Sequence, residues 1–274
     1  MGTILLMGAG LQTTVTGPTY DPDAQLFFDA QTTAGVTLST TEKGAVNQWV
    51  VDAKAIGIWT KMKAVYPMVG GTATSQKFNL KNPADTNAAF RLNFIGGGTH
   101  SSNGYLPNGT NAYANTFLTP STNLTLNNVS LSIYSRTNNT SLGFDIGARN
   151  TISGSDVTLT MYAGGAVVGR INTYADYASI PLTNTLGFIQ ATRVGTNSQK
   201  VFKNAISSTS TITTSTAAVS FVMLIGALNL DGAAAFYNNK EIAFASIGDG
   251  LTDAEALAFY NAVNAFQVSL ARNV

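Results

Sequence analysis

The sequence predicts an all-β sandwich with helices at its two ends. Three observations predict it. Between residues 62 and 247, short apolar runs alternate with polar residues at the two-residue period of a half-buried strand. Segments rich in Asn, Gly and Ser separate these runs, among them 96–98, 138–139 and 164–165. Helix signals are confined to the stretches before and after. Many short strands joined by polar turns, with no helix interposed, make a sandwich, jelly roll included.

Residues 1–22 read as an apolar arm followed by a linker. The arm is MGTILLMGAGL, and Gly17, Pro18 and Pro22 interrupt regular structure behind it. It has no basic flank of the kind that opens a signal peptide, and Gly8 and Gly10 break it well short of the ~20 apolar residues of a membrane span. Ile4, Leu5, Leu6, Met7 and Leu11 are the anchoring candidates, either docked on a partner or laid back as a strand.

Residues 23–60 read as a helical segment. A short helix over 24–30 is expected with Asp23 as its cap. A second opens on the capping box Ser39-x-x-Glu42. Val46, Trp49, Val50, Ala53 and Ile56 share one face of it, and Gly57 is placed to end it in a left-handed turn. Trp49 and Trp59 read as packing residues.

Residues 61–250 read as the sandwich. Met62, Ala64 and Tyr66 alternate up to Pro67, and Phe90, Leu92 and Phe94 repeat the pattern. Further runs fall at 131–134, 142–146, 157–162, 186–194, 221–225 and 242–247, and the Ser/Thr stretch 207–216 reads as an exposed hairpin. Residues 251–274 read as a closing helix that packs on the sandwich or on a sister subunit. It opens on Thr252-x-x-Glu255, carries an apolar stripe of Leu257, Tyr260, Val263, Phe266 and Leu270, and leaves Arg272 at the negative end of its dipole.

Composition narrows the function. Charged residues are 11% of the 274, against roughly 25% in ordinary domains, so the surface is polar but nearly uncharged, as expected where it meets protein neighbours. The net charge of +1 provides no basic field for nucleic acid or anionic lipid. The absence of cysteine excludes disulfides and thiolate metal sites.

The residues of catalysis are sparse. The one histidine, His100, sits in GGGTHSSNG, which reads as a loop, with no acid or nucleophile placed beside it. A lone histidine cannot build a histidine-rich metal centre. Asp145, Asp156 and Asp231 are scattered, and Asp249, Asp253 and Glu255 are explained by capping, so no carboxylate pair for glycoside hydrolysis stands out. No EF-hand, phosphate-binding loop or dinucleotide fingerprint occurs, although scattered oxygen donors leave calcium open. No catalytic residue, metal ligand or cofactor is therefore assigned. Carbohydrate binding is the chemistry left open, with Tyr105, Asn108, Asn111 and Tyr113 the ring and amide groups on which it would rest.

Four segments carry a family resemblance: KMKAVYPMVGG (61–71), NAAFRLNF (87–94), PNGTNAYANT (107–116) and IAFASIGDGLTDAEA (242–256). In order and spacing the chain resembles a group of bacteriophage structural proteins from about residue 45 to its end. The resemblance implies a concanavalin/laminin-G-like jelly roll with a helical segment before it and a helix after it. It also implies a virion component without an active site, a head decoration, fibre or tail-associated subunit made in the host bacterial cytoplasm. Other virion proteins would be its partners, homo-oligomerisation its assembly mode, and neither nucleic acid nor membrane insertion part of its work. The alternative is a receptor- or glycan-binding module of a phage fibre, with a host surface glycan as ligand.

Overall fold

A computed structural model describes residues 19–140, 142–162, 165–208 and 214–274. The arm residues Ile4, Leu5, Leu6, Met7 and Leu11 lie outside the described residues, as does much of the Ser/Thr stretch 207–216. Two long helices come first, α1 (Pro22–Thr33) and α2 (Thr40–Ala55), and a third long one, α5 (Asp253–Ser269), closes the chain; α3 (Ala73–Gln76) and α4 (Pro120–Asn123) are single turns. The strands begin with β1 (Met62–Tyr66), β2 (Asn93–Ile95), β3 (Thr99–Ser101), β4 (Gly104–Leu106), β5 (Tyr113–Asn115) and β6 (Val129–Ser135). There follow β7 (Ile146–Asn150), β8 (Ser155–Met161), β9 (Ala166–Ile171), β10 (Ala178–Pro181), β11 (Gly187–Arg193) and β12 (Gln199–Lys203). The last are β13 (Ile206–Ser207), β14 (Leu224–Ile225), β15 (Leu228–Leu230), β16 (Ala233–Ala235) and β17 (Ile242–Gly248).

These strands form two facing, predominantly antiparallel sheets, the jelly-roll sandwich that the alternating runs predict. The first runs β13-β12-β11-β6-β17-β4-β3, with β1 also on β17; the second runs β10-β9-β8-β7-β14-β5-β2, with β15 and β16 alongside β7. Between them lies a core in which Leu131, Ile133, Ile189, Ala245 and Ile247 of the first sheet meet Ile146, Val157, Leu159 and Val167 of the second. A separate core lies on the other side of the first sheet. There Tyr134, Phe188 and Phe244 meet Trp49, Phe259, Val263 and Phe266 of α2 and α5. Trp49 stands 5.5 Å from Phe244 and 6.1 Å from Trp59, ring centre to ring centre, so both indoles are packing residues.

The molecule is therefore three layers deep: helices, first sheet, second sheet. Strands β6, β11 and β17 are buried on both faces; in the second sheet β8 is buried as well, but β9 alternates between buried and half-buried residues, and the long described helices α2 and α5 pack on the first sheet. The outer face of the second sheet is where the fold leaves room for a ligand.

The helix ends follow their local chemistry. Ser39 and Glu42 form the expected box, and so do Thr252 and Glu255. Gly57, at φ +74°, ends α2 in a Schellman turn: its N–H donates to the Lys54 carbonyl and that of Ile58 to the Ala53 carbonyl. The cap of α1 is Asp21 instead of Asp23, because Pro22 takes the first helical position, where its missing N–H costs nothing.

Other expectations are corrected by packing. The run 90–95 is a strand only over Asn93–Ile95, since Phe90 adopts a left-handed conformation at φ +59°. The run 142–146 is a loop leading into β7, with Leu142 exposed, and of 221–225 only the last two residues pair. His100 sits in β3, not in a loop, opposite Tyr105 of β4. The buried face of α5 is Ala256, Phe259, Val263 and Phe266, one step round the helix from Leu257, which is exposed.

Arg272 does not cap a dipole. It is buried and spends its guanidinium on carbonyls of two chain segments: Met68 at 2.8 Å and Pro67 at 3.1 Å in one, and Ala243 at 3.1 Å in the other.

Candidate functional site

The uncovered face of the second sheet carries a cleft of about 530 Å³. Its floor is set by strand alternation. Val157, Leu159, Met161, Val167 and Ile171 point into the core, so Asp156, Thr158, Thr160, Val168 and Arg170 point out. Arg149 projects beside them from β7 and Ser179 from β10. The walls are rings: Phe144 from the loop before β7, Tyr162 after β8, Tyr177 before β10 and Phe236 after β16. Tyr177 and Phe236 are 48% and 54% exposed, with the Arg170 guanidinium over the Tyr177 ring.

Charge beneath the cleft centres on Asp156, which is fully buried. Its Oδ2 accepts from Arg149 Nε at 2.9 Å and Nη2 at 2.6 Å, while Arg170 Nε stays 3.9 Å away, beyond hydrogen-bond range. Burial pushes the Asp156 pKa up despite Arg149. The two cations also lie over rings: the Arg149 guanidinium carbon is 5.5 Å from the Phe144 centroid and 5.6 Å from that of Tyr174, and Arg170 is 4.9 Å from that of Tyr177. Arg170 Nε is buried and has no hydrogen-bond partner.

A concave, ring-lined site with a few convergent polar groups suits a small polar ligand with apolar faces. The Ser179 hydroxyl adds a donor and acceptor, while that of Thr160 donates to the Gly143 carbonyl, and the guanidinium forks match carboxylate or sulfate groups. The strand carboxylates are committed to cations, Asp156 to Arg149 and Asp145 to Lys240. Among the described residues, no three His, Asp or Glu side chains gather to hold a metal ion. No helix among them is long and apolar enough to cross a membrane.

The residues singled out from sequence lie elsewhere: Tyr105 in β4 of the first sheet, Tyr113 in β5 of the second, and Asn108 and Asn111 in the loop between those strands. Tyr105 is fully buried, stacked 5.0 Å from His100 and 4.7 Å from Phe94, so it presents no face to a ligand. Burial pushes the Tyr105 pKa up and that of His100 down, and His100 Nδ1 lies 2.7 Å from Gln76 Oε1. Asn108 is exposed but works as a loop organiser: its Oδ1 accepts the N–H groups of Thr110, Asn111 and Ala112, and its Nδ2 donates to Gly96 O and Asn111 Oδ1. The loop lies so close to Gly96 that a Cβ there would fall 2.0 Å from Asn111 O. Asn111 is exposed, and Tyr113 is half-buried with its ring 6.2 Å from that of Tyr237.

Sequence reasoning missed Arg149, Arg170, Tyr177 and Phe236. The signal was present in part: AVVGRI (166–171) alternates, and its outward positions end on Arg170. The small residues Ala166 and Gly169 and the preceding Gly164-Gly165 pair in the sequence obscured the strand.

No protein-family model matches the chain, and no curated protein matches it. Solved structures resemble it at low similarity. Domain 4 of AbnA, an extracellular arabinanase of Geobacillus stearothermophilus in complex with arabinotriose, is 15% identical with a TM-score of 0.45, covering 73% of this chain and 98% of that one. The CBM40 of the Ruminococcus gnavus IT-sialidase, bound to α2,3 sialyllactose, is 15% identical with a TM-score of 0.40, covering 48% and 82%. The binding domain of botulinum neurotoxin serotype D is 11% identical with a TM-score of 0.49, covering 75% and 52%. None of the three is named as a phage component. At this level of similarity the neighbours assign neither ligand nor activity to this chain.

Proposed function

We propose that this protein is a non-catalytic recognition module that holds an acidic glycan in the cleft over β7–β10. One observation carries the reading: Arg170 keeps an unused buried donor at the floor of a cleft walled by partly exposed rings. Sugar rings offer apolar C–H faces to aromatic side chains and hydroxyls to polar ones, and a carboxylate or sulfate on the sugar supplies what a guanidinium fork prefers. The four segments that resemble phage structural proteins support a place on a virion, as a fibre or tail-associated subunit that reads a host surface glycan. Contacts with neighbouring virion proteins and a homo-oligomeric state belong to the same proposal.

A glycan array followed by titration calorimetry tests the ligand. Acidic oligosaccharides are expected to bind and their neutral counterparts to bind more weakly, with the difference lost in Arg170→Ala. Silence across acidic and neutral glycans overturns the reading.

A further inference from the structure

We propose that Lys240 and Asp145 join in an intramolecular isopeptide bond that ties the two sheets together covalently. The pair is fully buried, both side chains being 0% exposed. Lys240 Nζ is 2.9 Å from Asp145 Oδ1 and 2.9 Å from Oδ2. The amine thus faces the carboxyl carbon between the two oxygens, near the separation of about 3–3.5 Å at which reacting atoms are poised.

The surroundings polarise that carbon. The Met161 backbone N–H donates to Asp145 Oδ2 at 2.8 Å, and Asn238 Nδ2 donates to Oδ1 at 2.6 Å. These fixed donors stabilise the oxyanion that forms as nitrogen adds to the carbonyl. The Met161 carbonyl accepts from Nζ and holds the amine in place. Burial pushes the Asp145 pKa up, which favours the neutral acid, the form whose carbonyl an amine can attack.

The step balances without a co-reactant. Nζ, carrying two hydrogens, bonds to Cγ; the Cγ–Oδ1 bond breaks; Oδ1 leaves as water with the carboxyl proton and one proton from Nζ. The product is a secondary amide, and a buried ion pair, costly to desolvate, is replaced by a neutral group. Asp145 immediately precedes β7 of the second sheet, and Lys240 lies just before β17 of the first. The bond would span the sandwich in a chain that has no cysteine for a disulfide.

Mass spectrometry of the denatured full-length protein and of its tryptic digest tests the bond. The expected protein mass is one water below that of the sequence. Cleavage after Lys240 should be lost, with a branched peptide linking residues 137–149 to residues 204–272. Lys240→Met should restore the mass of its own sequence. A wild-type protein of full mass that is cut normally after Lys240 overturns the proposal. So does a one-water deficit that persists in Lys240→Met. The wild-type digest decides the matter even if the variant fails to fold, and glycan binding has no bearing on it.

Discussion

The guanidinium carbon of Arg170 stands 4.9 Å from the centre of the Tyr177 ring, and its Nε is 3.9 Å from the Asp156 carboxylate that Arg149 already holds. Arg170 is thus steered by a ring and a distant carboxylate without being saturated by either.

Removing either member of that pair should weaken glycan binding without unfolding the protein. Tyr177→Ala and Arg170→Ala are each expected to lose about tenfold in affinity, or ~1.4 kcal/mol. Calorimetry with an acidic oligosaccharide measures this, and an unchanged circular dichroism spectrum shows that the fold is intact. Arg170→Lys should recover only part of the loss, since an ammonium cannot form the planar fork.

Arg272 should be among the most sensitive positions for stability. Arg272→Ala leaves the carbonyls of Pro67, Met68 and Ala243 without this donor in a buried region. A loss of about 3 kcal/mol in chemical denaturation is expected. A loss below that of an ordinary surface substitution contradicts the role given to it.

Lys203 makes stability depend on alkaline pH. Burial lowers its pKa to about 8 from 10.5, so the unfolded chain binds more protons than the folded one between those values. Stability from this group therefore rises as pH climbs from about 8 to 10.5, and below that window the buried ammonium is a cost. Lys203→Met is expected to melt higher than the wild type at pH 7, with the advantage shrinking toward pH 10. Melting curves across that range would show no such trend if the side chain were well solvated.

Thr252→Ala removes the hydroxyl that accepts the Glu255 N–H at the start of α5. A cost of about 1 kcal/mol is expected, read from the shift of the denaturation midpoint at constant slope.

What could be read along the chain is what short-range chemistry governs. Ser39 and Glu42, Thr252 and Glu255, and Gly57 mark helix ends because capping groups lie within a few residues of the N–H and C=O groups they satisfy. Met62–Tyr66 and Ile242–Gly248 announce themselves as strands because their apolar residues are continuous or alternate cleanly. Phe90 escaped because its left-handed turn is imposed by neighbours, and β9 because Ala166 and Gly169 dilute its pattern. The four ring and amide candidates were chosen by residue type, and type alone cannot say that Tyr105 is sealed beneath Phe94 and His100.

Periodicity, capping and composition are local properties of the chain, so the class of fold, the terminal helices and the scarcity of catalytic groups were legible from the residues alone. Only the tertiary structure decided which face of which sheet stays open. That choice depends on helices from both ends of the chain packing on the first sheet, which leaves Arg149, Arg170 and Tyr177 together on the second. Groups far apart in sequence converge there because the strands that carry them pair side by side, and no local pattern encodes that pairing.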